Sequence, residues 1–230
     1  MRKYILMLLL SVCCVLNASA QNLQFHYFLD HTLNERMCDK NYLQITFDMF
    51  KADKWGSFYT FTDFNFTGKQ GNLGSVYWEI SRNQNIGKLP VKLHIEYNGG
   101  VASSCSMPGA YFLGVNYPLT IGRFAVGANL SYKVNAFKQI SQDGQLTLTW
   151  SGTVCKERFQ LCGFVDMWTE NKVRDEKSDE GKKFVVLFGP QGWYNLNPKI
   201  AIGTKINISY NMLEEHTIFV FPSLAVKWNF

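Results

Sequence analysis

Pro222-Ser223-Leu224-Ala225-Val226-Lys227-Trp228-Asn229-Phe230 closes the chain with a strict alternation. Pro222, Leu224, Val226, Trp228 and Phe230 are apolar or ring-bearing, whereas Ser223, Ala225, Lys227 and Asn229 are small or polar. Successive strand residues point to opposite faces, so this segment has one greasy face and one wet face. A strand with hydrocarbon on one side and a polar interior on the other satisfies that pattern, and its backbone must then find partners in a closed sheet.

The same alternation returns along the chain. Leu43, Ile45, Phe47 and Met49 oppose Tyr42, Gln44, Thr46 and Asp48, and Val91, Leu93, Ile95 and Tyr97 oppose Lys92, His94, Glu96 and Asn98. Ile200, Ile202, Ile206, Ile208 and Tyr210 oppose Gly203, Lys205, Asn207, Ser209 and Asn211. Twelve segments of about ten residues read this way, each closed by a polar or Gly/Pro connection. They are Leu23 to His31, Asn41 to Phe50, Gly56 to Phe66, Gly74 to Arg82, Val91 to Gly99, Gly109 to Tyr117, Arg123 to Asn135, Gln145 to Val154, Phe159 to Trp168, Lys183 to Tyr194, Lys199 to Met212 and Thr217 to Phe230. The expected fold is all-β, an antiparallel up-and-down transmembrane β-barrel of about 12 strands. A register slip of one residue would turn every greasy side chain inward, so the pattern fixes pairing as well as orientation.

At the other end, Arg2 and Lys3 precede an apolar run from Tyr4 to Leu16, followed by the small-residue pattern Asn17-Ala18-Ser19-Ala20. This reads as a secretory signal peptide over residues 1–20, cleaved near Ala20, with a barrel over 21–230. The run is shorter than the roughly 20 apolar residues that a membrane-crossing helix needs. Cys13 and Cys14 raise a lipoprotein anchor, but Val12 stands where that signal takes a small residue.

Aromatic residues make up 15% of the chain, with 18 Phe and 11 Tyr, against 18% charged, which suits a protein anchored at two membrane interfaces. Without Arg2 and Lys3 the 23 basic residues become 21, against 18 acidic, a net charge of +3. That is too mild for a nucleic-acid binder, so no nucleic acid is expected as a partner. Connections test the barrel independently. With both termini on the periplasmic side, Thr32 to Lys40, Thr67 to Leu73, Gly100 to Pro108, Ala136 to Gly144 and Thr169 to Lys182 become outer loops. They exceed the turns at Lys51 to Trp55, Pro118 to Gly122, Cys155 to Arg158 and Asn195 to Pro198. Asn83 to Pro90 and Leu213 to His216 break that rule.

Trp55-Gly56-Ser57-Phe58-Tyr59-Thr60-Phe61-Thr62-Asp63, after Lys51-Ala52-Asp53-Lys54 and before Tyr77-Trp78-Glu79-Ile80, resembles the nucleoside-specific (Tsx-like) outer-membrane channel family and its shorter relatives in Bacteroides-type bacteria. The family pattern Trp-x-x-Phe-Tyr-x-aromatic-x-Asp, then aromatic-x-Glu-Ile, is met by Trp55, Phe58, Tyr59, Phe61, Asp63, Tyr77, Glu79 and Ile80. The terminal strand is similar to the last strand of bacterial outer-membrane barrels. The resemblance implies a monomeric porin-like channel in the outer membrane, in contact with lipid and lipopolysaccharide, passing nucleosides down their gradient.

A lumen of that width would select a nucleoside by stacking its base and bonding its edges. The candidates are Tyr59, Phe61 and Asp63 on one strand, Tyr77 and Glu79 on the next, and His94 and Glu96 on the third. Equally, such aromatics serve as girdles or lumen packing, and Asp63, Glu79 and Glu96 could pair with Lys92, Lys133 or Lys205 to neutralise the interior. An enzyme is not expected. The mature chain offers only His26, His31, His94 and His216, with no triad, metal or phosphate motif, so no catalytic residue, metal or cofactor is assigned. Cys38 and Cys105 fall on the same supposed side and could form a disulfide, whereas Cys155 and Cys162 alternate to different faces. Two readings compete with the channel: a non-conducting barrel plugged by its own aromatics, with an adhesive or structural role, and a soluble lipocalin-like binder with its apolar faces turned inward.

Overall fold

The computed structural model describes residues 20–35, 38–103, 106–135, 142–172 and 181–230. The strands, in chain order, are β1 (Ala20–Phe28), β2 (Tyr42–Asp53), β3 (Gly56–Asn65), β4 (Ser75–Asn85), β5 (Lys92–Ala102), β6 (Ser106–Ile121), β7 (Phe124–Asn135), β8 (Gln142–Val154), β9 (Phe159–Asn171), β10 (Lys182–Phe188), β11 (Gln191–Asn195), β12 (Ile200–Tyr210) and β13 (Ile218–Asn229). Each pairs antiparallel with its neighbour, and β13 returns to pair with β1, Leu23 lying opposite Trp228. The sheet therefore closes without an edge, and no ladder N–H or C=O is left to face hydrocarbon.

β10 and β11 both lie between β9 and β12, so they are two halves of one barrel strand and the barrel has twelve. Pro190 has no N–H to give the ladder, and the strand breaks there. The ladder is held across the gap by Gly189 N–H donating to Phe164 O at 2.9 Å and by Ile206 N–H donating to Pro190 O at 3.0 Å. Gly163 faces the break, where a Cβ would come 2.6 Å from the Gly189 carbonyl oxygen.

The two faces differ as the alternation requires. Outward side chains are exposed, among them Leu224 at 66% and Leu130 at 62%. Inward ones are shielded and mostly polar, including His26 at 0% and His94 at 2%. The oily-centred soluble reading is thereby ruled out. Tyr97 and Tyr111, with ring centroids 5.0 Å apart on the outward face, and Trp228 with Phe230, also 5.0 Å apart, give the aromatic rings that a bilayer boundary favours.

Several boundaries differ from the sequence reading. β1 ends at Phe28, and Asp30–Leu33 form a short helix, α1: the next pair in the register is Leu29 with Pro222, which accepts from Leu29 N–H at 3.0 Å but has no N–H to return, so the ladder stops there. The expected long loop at Gly100 to Pro108 shrinks to residues 103–105, since β5 and β6 run on past a bulge between Asn98 and Gly100. The turn after β2 is only Lys54-Trp55. At the end carrying the termini the connections span residues 54–55, 86–91, 122–123, 155–158 and 196–199; at the opposite end 29–41, 66–74, 103–105, 136–141, 172–181 and 211–217. The segment read as a signal peptide, apart from Ala20, lies outside the described residues, as does Cys105, the second member of the expected disulfide. Cys155 and Cys162 are free thiols. Among the described residues no helix is long and apolar enough to cross a membrane.

Candidate functional site

The wall of the lumen over β2 to β5 is built by register. Asp63 lies opposite Thr46 and Tyr77, Phe61 opposite Asp48 and Glu79, and Tyr59 and Glu96 opposite Ser81. Cross-strand partners share a face, so Tyr59, Phe61, Asp63, Tyr77, Glu79, His94 and Glu96 all project into the same interior. The rings form a ladder: Tyr59 to Phe61 is 6.1 Å between centroids and Phe61 to Tyr77 is 5.9 Å.

The carboxylates beside this ladder are held by neutral donors. Tyr77 Oη donates to Glu79 Oε1 at 2.7 Å and Asn98 Nδ2 donates to the same oxygen at 3.2 Å. Tyr59 Oη donates to Asp48 Oδ2 at 2.9 Å, and Thr46 Oγ1 to Asp63 Oδ1 at 2.5 Å. His94 has Nε2 3.1 Å from Glu96 Oε2 and Nδ1 2.7 Å from Asn83 Oδ1. Glu96 thus pairs with His94, and hydroxyl and amide donors hold Asp63 and Glu79 where the sequence suggested Lys92, Lys133 or Lys205. Lys133 Nζ instead sits over rings, 4.7 Å from the Trp168 centroid and 5.6 Å from that of Phe112.

The opposite wall, over β1 and β9 to β13, is packed. Trp193 and Phe28 are each 1% exposed, and His26 lies between them, 5.8 Å from both ring centroids. His26 Nδ1 is 2.9 Å from Ser223 Oγ and Nε2 is 2.8 Å from Gln24 Oε1. Lys227 Nζ lies 4.4 Å over Trp193 and donates to Gln160 Oε1 at 2.5 Å. Burying that ammonium is tolerable because a ring face and an amide oxygen replace its water.

Asp166 was missed by sequence reasoning. It projects inward from β9 and accepts from Thr147 Oγ1 at 2.5 Å. The alternation of Val165 and Met167 about it was the available signal. Trp193 was also missed, because a lumen-filling ring and a girdle ring look alike in sequence. Among the described residues no group of three or more His, Cys, Asp or Glu is placed to hold a metal ion.

A family model described as "Domain of unknown function (DUF5020)" matches residues 20–230. The chain belongs to that family. No curated protein matches the DUF5020 chain. Among solved structures its barrel is similar to the NanC porin, with a TM-score of 0.58 at 9% identity over 91% of this chain and 99% of that one. It is likewise similar to the KdgM porin, with a TM-score of 0.52 at 7% identity over the same shares of the two chains. A KdgM porin in complex with disordered oligogalacturonate gives 0.50 at 7%, again over 91% of this chain and 99% of that one. At such identities the likeness is one of fold, and the fold of the DUF5020 barrel is that of outer-membrane porins.

Proposed function

We propose that this protein is an outer-membrane channel through which small hydrophilic solutes diffuse passively, with nucleosides as the solute class. The observation that carries the channel reading is the inverted barrel: a closed ring of twelve strands with Leu224 and Leu130 outside and a buried polar lining within. The likeness of the whole barrel to the NanC and KdgM porins supports it. Nucleosides are favoured by the ladder of Tyr59, Phe61 and Tyr77, whose faces can stack a base, and by Asp63, Glu79, Asn98 and Glu96, which can bond ribose hydroxyls and base edges. In this reading residues 1–20 are removed on export and both termini face the periplasm. The monomeric barrel then meets only lipid, lipopolysaccharide and solute, and it performs no chemistry.

The test is liposome swelling by the refolded barrel with nucleosides against sugars of similar size. Faster nucleoside entry is expected, and equal rates would leave a general pore. A second reading, the plugged barrel, is favoured by one observation: Trp193, Phe28 and His26 fill one side of the lumen to at most 1% exposure. In planar bilayers a channel gives steady openings and a plugged barrel gives none.

A further inference from the structure

The charges that line the lumen are not equally reachable. On the basic side, Lys227 is 3% exposed under Trp193 and bonded to Gln160, and Lys205 is 9% exposed. Asp63 is 8% exposed, and Asp48 lies within electrostatic reach of both lysines, whereas Glu79, Glu96 and Asp166 remain partly accessible away from them. Glu79, Glu96 and Asp166 come from β4, β5 and, across the barrel, β9, and each lies within electrostatic reach of the other two. Lys133, half-buried like these carboxylates, is the one lysine that acts on Glu79 and Asp166 among the described residues, and its ammonium lies over the rings of Phe112 and Trp168. At the rim opposite the termini two pairs of charges cancel, Lys182 with Asp143 at 2.6 Å and Lys183 with Glu170 at 2.9 Å.

A separate observation places polar capacity beside the same belt. Ser131 Oγ, on a residue 6% exposed, has no hydrogen-bond partner among the described residues; it sits against Gly114, which separates it from His94 in the sheet. Asn98 Oδ1, whose amide nitrogen binds Glu79, is buried and unpartnered as well. Buried polar atoms without a partner are rare, and these two lie beside the His94–Glu96 pair and beside Glu79.

From this arrangement we infer that the lumen is cation-selective: it passes small organic and inorganic cations and neutral polar solutes, and rejects anions, through the belt formed by Glu79, Glu96 and Asp166. The field that a permeant ion meets is set by charges it can approach, and a lysine buried under a ring and an amide contributes less than a half-buried carboxylate. The inference rests on the channel reading and is independent of nucleosides.

Reversal potentials of the refolded mature barrel in planar bilayers, under a tenfold KCl gradient at pH 7, test it. The potassium-to-chloride permeability ratio is expected to be roughly five- to tenfold, the preference that a local potential of about one kT sets between monovalent ions of opposite sign. Glu79→Gln/Glu96→Gln/Asp166→Asn should bring it near unity. As a milder variant, Glu96→Gln loses only the His94 contact and should lower the ratio measurably even if the triple variant does not fold. A wild-type ratio at or below one overturns the inference, as does a ratio unchanged in Glu96→Gln. Absence of any steady opening in the wild type would instead bring down the channel reading itself.

Discussion

Asp53 and Arg82 are joined by two hydrogen bonds, Nη1 to Oδ2 at 2.6 Å and Nη2 to Oδ1 at 2.9 Å, at the hairpin turn beside Trp55. That guanidinium fork, helped by the Trp55 N–H, holds the Asp53 carboxyl down at about 2. A carboxyl depressed in the fold stabilises above its unfolded pKa and stops doing so as pH falls through the folded value. The contribution of the pair should be intact above about pH 4 and gone below 2. An NMR titration of Asp53 should show this, and Arg82→Gln should return the carboxyl toward its ordinary range. Asp30 behaves oppositely. Burial in α1 pushes its carboxyl up to about 6, partly opposed by a hydrogen bond from Tyr42. Here the stability is full below about pH 4 and drains away as pH rises through 6. Hydrogen exchange of residues 29–35, corrected for its intrinsic pH dependence, should be slower at pH 5 than at pH 7, and Asp30→Asn should remove the difference.

Strands carry the next level of argument, because a substitution there is felt through the face it occupies. Leu130 and Ser131 are neighbours on β7, one 62% exposed to the outside and one 6% exposed within. Leu130→Arg should cost about 2–4 kcal/mol in a bilayer if its position is near the midplane, with less at the interfaces, measured by urea unfolding in liposomes. On the broken strand, Gly163→Val should disturb β9 where it faces Gly189 and Pro190, since even a Cβ would strike the Gly189 carbonyl. The expected outcome is faster exchange of Gly189 and Ile206, whose N–H groups hold the break together.

At the scale of the molecule, one half of the lumen is filled and the other is lined. Trp193→Ala removes the ring that covers Lys227 and touches His26. It should raise single-channel conductance and shift selectivity toward anions as the ammonium becomes reachable. It should also cost about 3–5 kcal/mol of stability, the range for deleting a buried aromatic ring.

Alternation along Leu43 to Met49, Val91 to Asn98 and Pro222 to Phe230 was enough to establish a barrel, its twelve strands and the inward face of His94 and Glu96, because a period of two assigns each side chain to a face wherever water and lipid are kept apart; Tyr59, Phe61, Asp63, Tyr77 and Glu79 were singled out with the help of the family resemblance. Which inward side chains meet across the lumen was not legible, since that depends on how a dozen strands stagger and close. Tertiary structure alone brought Asp166 from β9 toward Glu79 and Glu96 from β4 and β5, and laid Trp193 over Lys227. It also set the break at Gly189-Pro190, which the local pattern of Lys183 to Tyr194 concealed because the strand is carried through by its neighbours' hydrogen bonds. The sequence by itself determined which side of each strand is wet. The closed ring decided which wet groups remain reachable, because reach is a property of distances between strands far apart in the chain.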